Sequence, residues 1–195
     1  MNVKKYEFTG ETKVDIFGRV LRQIRAVVRI ERWDIEAGTI GGWIEDEKNL
    51  DQSGNAWVSG DARVYGDARV SGDAWVSGNA RVSGNARVSG DARVYGNARV
   101  YGDARVYGNA WVFKMGHYMV FGPAGSRNDF TTFFNTKNGK IAVSCGCFLG
   151  TIDEFLTKVA KTHGDSKHGR VYRTGAGLAM EQIETEKVND DIEEV

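Results

Sequence analysis

Proline is nearly missing from this chain, with Pro123 alone among 195 residues. Together with 25 glycines that would suggest disorder if the glycines were scattered, but they are periodic. Net charge is also missing: 26 Lys and Arg balance 26 Asp and Glu. A general electrostatic footprint for nucleic acid or for an anionic membrane is therefore excluded. Cysteine is scarce, and the two present, Cys145 and Cys147, stand one residue apart. That pair is a poor candidate for a structural disulfide and a sparse set for a secreted scaffold, so a reducing cytoplasm is the expected location. The opening MNVKKYEFTG has no apolar h-region, and no apolar run is long enough to span a bilayer. A soluble, intracellular protein is expected.

What the chain has in abundance is repetition. From Gly54 it reads GNAWVS GDARVY GDARVS GDAWVS GNARVS GNARVS GDARVY GNARVY GDARVY GNAWVF, ten units in one frame. Ala and Val two apart project to the same side of a short strand. Valines such as Val58, Val64 and Val70 are expected to fill an interior, with Ala56, Ala62 and Ala68 in the tight places beside each bend. Gly followed by Asn or Asp tolerates positive φ, so each unit ends in a corner. A helix is excluded, because Gly in every unit would cost about 1 kcal/mol each and no helical stripe remains. Strands this short bury a core only by stacking on the next turn of a solenoid.

The units resemble the hexapeptide repeat of left-handed parallel β-helix proteins. That resemblance implies three units per coil, a triangular prism, a left hand and a tendency to form trimers. With three units per coil, residues eighteen apart share a wall. One wall then carries Trp57, Trp75, Arg93 and Trp111 beside Ser59, Ser77, Tyr95 and Phe113. A second carries Arg63, Arg81 and Arg99, and a third Arg69, Arg87 and Arg105. Trp and Arg could simply stack from rung to rung. Alternatively, the wall of Trp57, Trp75, Arg93, Tyr95, Trp111 and Phe113 is a contact surface between copies, since tryptophan is enriched at interface centres.

Residues 1–53 are expected to form an N-terminal β cap, with one or two hairpins bracketed by Gly10 and Gly18 and a degenerate first rung in GTIGGWI. The stretches VLRQIRAV, AGTIGGWIED and NLDQSGNAWV resemble the opening of hexapeptide-repeat proteins of phages and prophages. Relatives of the repeat include acyltransferases and metal-dependent carbonic anhydrases, whose chemistry needs histidines on the coils or on extruded loops. Here His117, His163 and His168 all lie beyond the repeat, and no loop interrupts the ten units. No catalytic residue, metal site or cofactor is therefore assigned, and an acyltransferase is a disfavoured reading.

The repeat, residues 54–113, gives way at Lys114 to a segment, 114–184, that reads as β-β-β-α-α. Its strands are His117 to Gly122, Phe130 to Phe134 and Ile141 to Cys145, the last two joined around Asn138-Gly139. Thr151-Ile152-Asp153-Glu154 is a capping box opening a helix, and a second helix runs from about Val171 to Ile183. Residues 185–195 form an acidic tail. The stretches GSRNDFTTFF, VSCGCFLGTIDEF and KTHGDSKHGRVY resemble a small phage-associated domain without established chemistry. Gly125, Ser126, Arg127 and Asn128, with Lys167, His168 and Arg170, could cradle an anion through backbone N–H groups and guanidinium. A plain turn is the competing reading. Cys145 and Cys147 with His163 and His168 make a poor zinc spacing, and two small buried residues on a strand is the better account.

The expected function is a non-enzymatic, self-associating binding protein of phage type. The solenoid would assemble a homo-oligomer, and the C-terminal domain would bind a host protein and so modulate host functions or defence. The alternative is an oligomeric sponge for a small anionic, nucleotide-like signal. Membrane binding is not expected, and nucleic acid along the arginine rows is disfavoured by the neutral charge.

Overall fold

The structure, a computed structural model, describes residues 4–188. The greater part of the acidic tail, residues 189–195, lies outside them. Each repeat unit contributes a two-residue strand, from Trp57–Val58 to Trp111–Val112, ten in all (β4 to β13). Every repeat glycine from Gly54 to Gly108 has φ between 61° and 72°, the left-handed corner expected of it. Corners also stack closely: a β-carbon on Gly84 would meet the Gly102 nitrogen at 2.9 Å. Any other residue there would be strained and also crowded.

Strands pair in parallel with those eighteen residues on, Trp57 with Trp75, Arg63 with Arg81, Arg69 with Arg87. Three walls result, so the expected phase of three units per coil holds. Strand β3 (Ile40–Ile44) pairs in parallel with Arg63–Val64, and Leu50 bridges to Val70, adding a rung ahead of the repeat on two walls. The solenoid therefore has about four coils. All the repeat alanines and valines are fully buried along its axis. Each valine removed from water contributes on the order of 1.5 kcal/mol.

Stacking has a direction that decides what each end needs. Backbone N–H groups donate onward to the next coil, as Trp57 N to Ala74 O and Arg69 N to Ala86 O, both 2.9 Å. Carbonyls of the first coil are thus left to other donors. Trp43 N–H donates to Ala62 O at 2.9 Å, and the Asn49 side-chain amide to Ala68 O at 2.8 Å. On the tryptophan wall the donor is a side chain: Lys5 Nζ reaches Ala56 O at 2.8 Å. Strands β1 (Tyr6–Val14) and β2 (Val20–Ala26) form an antiparallel hairpin, and β2 pairs with β3, so they extend one wall as a sheet.

Burial pushes the Lys5 ammonium down to about 8, a little offset by Asp51. Above that pH the folded chain holds a neutral amine while the unfolded chain is still protonated. Stability must therefore rise with pH between about 8 and the ordinary lysine value of 10.5. The full effect approaches about 3 kcal/mol. Urea midpoints of the wild type, referred to Lys5→Met at each pH, should climb across that window; a flat difference would refute the assignment.

Beyond the solenoid, β14 (Tyr118–Ala124), β15 (Asp129–Asn135), β16 (Ile141–Cys145) and β17 (Phe148–Thr151) make an antiparallel meander. Three strands were expected, and the structure adds β17, joined to β16 through Gly146-Cys147. Helices α1 (Ile152–His163) and α2 (Lys167–Gln182) follow, α1 opening on the Thr151/Glu154 capping box. Alternation along β15 divides its two faces. Phe134 joins the core that runs through the solenoid, whereas Phe133 packs with Phe155, Val159 and Tyr172 under the helices. At the junction Thr132 Oγ1 accepts from Arg105 N at 2.9 Å, Tyr118 OH donates to Arg99 O at 2.8 Å, and Asn135 Nδ2 donates to Trp111 O at 3.2 Å. The sheet thus closes the last coil by supplying partners to its backbone.

Candidate functional site

The three tryptophans of the repeat do share one wall, in register with Arg93. Other parts of the chain pack along that wall, leaving Trp57 and Trp111 buried and Trp75, Arg93, Tyr95 and Phe113 half-buried. Trp57 is fully buried under β3, where a β-carbon on Gly41 would come within 2.7 Å of its ring. Trp75 lies edge-on to Trp33, with ring centroids 4.6 Å apart, and donates through Nε1 to Ser59 Oγ at 2.8 Å. Arg93 sits between the rings of Trp33 and Trp111, at 4.9 and 4.8 Å. At the far end Trp111 is buried, Tyr95 stacks on Phe113 at 4.9 Å, and His117 meets Phe113 edge-on at 4.1 Å. The physical reason is the Glu31–Trp33 turn and the His117 turn, which fold back over the wall from either end. Rung stacking and cation–π contacts within the chain engage these residues.

The C-terminal module holds a cavity of about 210 Å³, lined among others by Ser126, Arg127, Cys145, Cys147, Lys158 and His163. Its floor is Phe148, Phe155, Val159 and Tyr172. Three pieces of local structure build it. The turn after β14 presents Ser126 and Arg127, with Gly125 lying against the Tyr172 ring. A β-carbon on Gly125, whose φ is 72°, would meet Tyr172 Cζ at 2.1 Å, so only glycine lets that ring close the floor. The β16–β17 turn supplies the second piece. Gly146 leaves space for the Arg127 guanidinium, whose Nη1 would stand 2.1 Å from a β-carbon there. Arg127 Nη2 thereby reaches the Cys147 sulfur at 3.9 Å. The third piece is α1, whose residues 155, 158, 159, 162 and 163 fall on one helical face toward the cavity.

Electrostatics follow from this geometry. The hydrogen bond from Arg127, then its charge and more weakly that of Lys158, hold the Cys147 thiol below its usual range. Cys147 is exposed and Cys145 half-buried, and neither is in a disulfide. Thr131 Oγ1 contacts the Cys145 sulfur at 3.2 Å. Two cations at the mouth over an aromatic floor can hold an anion that carries an apolar body.

Of the anion-site residues read from sequence, the structure brings Ser126 and Arg127 to this cavity. Gly125 shapes the floor, and Asn128, with φ 49°, turns outward as an exposed corner. Lys167, His168 and Arg170 are not brought there: α2 begins at Lys167, and all three are exposed in its first turn. Arg170 instead donates to the Asp165 carbonyl. The cation that does face the cavity is Lys158, which sequence reasoning missed. The signal was its place beside Phe155 and Val159 on an amphipathic helix.

A larger open groove of about 700 Å³ lies on the third wall, where Glu47 and Asp51 accompany Lys48, Arg69 and Arg87. Its mixed charge makes no selective site. Among the described residues no group of three His, Cys, Asp or Glu is placed to hold a metal ion, and no helix is long and apolar enough to cross a membrane.

The YdcK beta-solenoid repeat family matches this chain at residues 62–78, 74–90, 80–96, 86–99, 92–108 and 98–113. The likeness is to the solenoid and reaches neither the N-terminal strands nor the C-terminal module. No curated protein is similar enough to the chain to count as a relative.

Proposed function

We propose that this chain is a non-enzymatic binding protein in which a rigid left-handed solenoid, capped at its start by the β1–β2 hairpin, carries a C-terminal module that binds a small organic anion. The observation that carries this reading is the cavity itself: Arg127 and Lys158 at its mouth, Phe148, Phe155, Val159 and Tyr172 beneath. At about 210 Å³ it falls below the range of roughly 300–1,000 Å³ usual for drug-sized ligands. It can enclose a phosphate or carboxylate with a few carbons, not a whole nucleotide. The sponge alternative therefore narrows to recognition of the phosphate end. Self-association is not needed for this reading, and the tryptophan wall assigned to it is buried at Trp57 and Trp111 and half-buried at Trp75, Arg93, Tyr95 and Phe113.

Calorimetric titration of the full chain with phenyl phosphate tests it. Binding is expected in the wild type. Arg127→Gln should weaken it about tenfold or more, the loss of one charge-assisted hydrogen bond. Lys158→Gln should weaken it less. Failure of phenyl phosphate to bind, or equal affinity in Arg127→Gln, would refute the proposal.

A further inference from the structure

The sulfur atoms of Cys145 and Cys147 belong to residues that line one cavity, and anion binding requires neither. Their setting is that of reactive thiols. Cys147 is exposed at the tip of the β16–β17 turn, its sulfur is 3.9 Å from a guanidinium nitrogen, and Lys158 lines the same cavity. A thiolate near fixed positive charge, open to solvent, is the nucleophilic form of cysteine. Gly146 makes the arrangement possible, since any side chain there would displace Arg127. Cys145 is one residue from the turn and half-buried, with its sulfur near Thr131 Oγ1, the place of a second, slower thiol.

We propose that Cys147 undergoes thiol–disulfide exchange with low-molecular-weight disulfides that bear carboxylates, and that Cys145 resolves the product. The Cys147 thiolate attacks one sulfur of R–S–S–R. A Cys147–S–S–R bond forms, the original S–S bond breaks, and its electron pair leaves with R–S⁻. The Cys145 thiol, giving its proton to solvent, then attacks the Cys147 sulfur and expels the second R–S⁻. Two protein thiols are oxidised to a disulfide and one small disulfide is reduced to two thiols, so electrons balance without another reactant. Arg127 and Lys158 select the carboxylate-bearing disulfide by charge, and because Cys147 stands at the mouth only one carboxylate has to approach them. The proposal rests on the cavity assigned above as the anion site.

Intact-mass measurement of the full chain after incubation with oxidised glutathione, or with cystamine as a cationic disulfide, tests this. Cys145→Ser should accumulate one mixed disulfide, mapped to Cys147, and form it several-fold faster from oxidised glutathione than from cystamine. The unaltered chain should end with an internal Cys145–Cys147 disulfide instead. Arg127→Gln should slow the first step by about threefold or more, since both thiolate fraction and disulfide attraction fall. The proposal is overturned if folded Cys145→Ser reacts no faster than the same chain in urea, or if the adduct maps elsewhere. Cys147→Ser should lose exchange. In the unaltered chain, exchange without phenyl phosphate binding would remove the anion reading and leave the thiol, whereas binding without exchange would overturn the thiol proposal alone.

Discussion

A chain carrying Val82→Asp is expected to lose its cooperatively folded solenoid. Val82 is fully buried and paired between Val64 and Val100 on consecutive coils. A carboxylate there meets only apolar neighbours and can neither ionise nor find a partner without breaking the stack. The expected cost exceeds about 4 kcal/mol, a large part of the 5–15 kcal/mol that ordinarily holds a protein folded. Because a solenoid is stabilised coil by coil, the damage spreads to the rungs above and below. Arg81→Asp, one residue earlier and pointing outward, should change stability by no more than about 0.5 kcal/mol. Circular dichroism with urea denaturation reads both. A folded Val82→Asp chain of normal midpoint would overturn the inward placement of the valines.

Trp57→Ala is expected to cost about 3–5 kcal/mol, the range for truncating a buried large aromatic. Its ring fills space that Gly41 leaves clear, since a β-carbon there would come within 2.7 Å of it, and β3 cannot collapse into the void without losing its pairing with Arg63 and Val64. Trp75→Ala should cost distinctly less, because Trp75 is only partly buried, with Trp33 edge-on against it. Neither change should alter the number of copies per particle by mass in solution. If Trp75→Ala or Trp57→Ala dissociated an assembly while leaving the urea midpoint unmoved, the wall would be an intermolecular surface after all.

These two substitutions mark where the sequence is transparent and where it is not. The six-residue period places glycine at each corner and Ala and Val inside, because corner geometry and core filling are decided within one unit and its neighbours eighteen residues away. The alignment of Trp57, Trp75 and Trp111 follows from the same count. Their exposure does not, since it depends on Trp33 and His117, which reach the wall through turns whose docking no local pattern specifies. Strand β17 was hidden for a different reason. Its hairpin turns on Gly146-Cys147 with Gly146 at φ 60°, rather than on the Asn-Gly pair that announces such a turn elsewhere in the chain. The cavity was half legible: Arg127 stood out as a cation in a Gly-rich turn, whereas Lys158 reads as one more solvent-facing lysine until α1 is docked. Charge and hydrogen-bonding capacity suggested Lys167, His168 and Arg170 for the site, and their places in the exposed first turn of α2 leave them outside its lining.

The most direct test of the binding account is backbone amide chemical-shift mapping of the isotope-labelled full chain during titration with phenyl phosphate. The account predicts saturable shifts at Ser126, Arg127, Gly146, Cys147, Phe148 and Lys158, with the solenoid signals unmoved. Shifts that instead follow Arg69 and Arg87 along the open groove, or leave the two turns at Arg127 and Gly146 untouched, would contradict it.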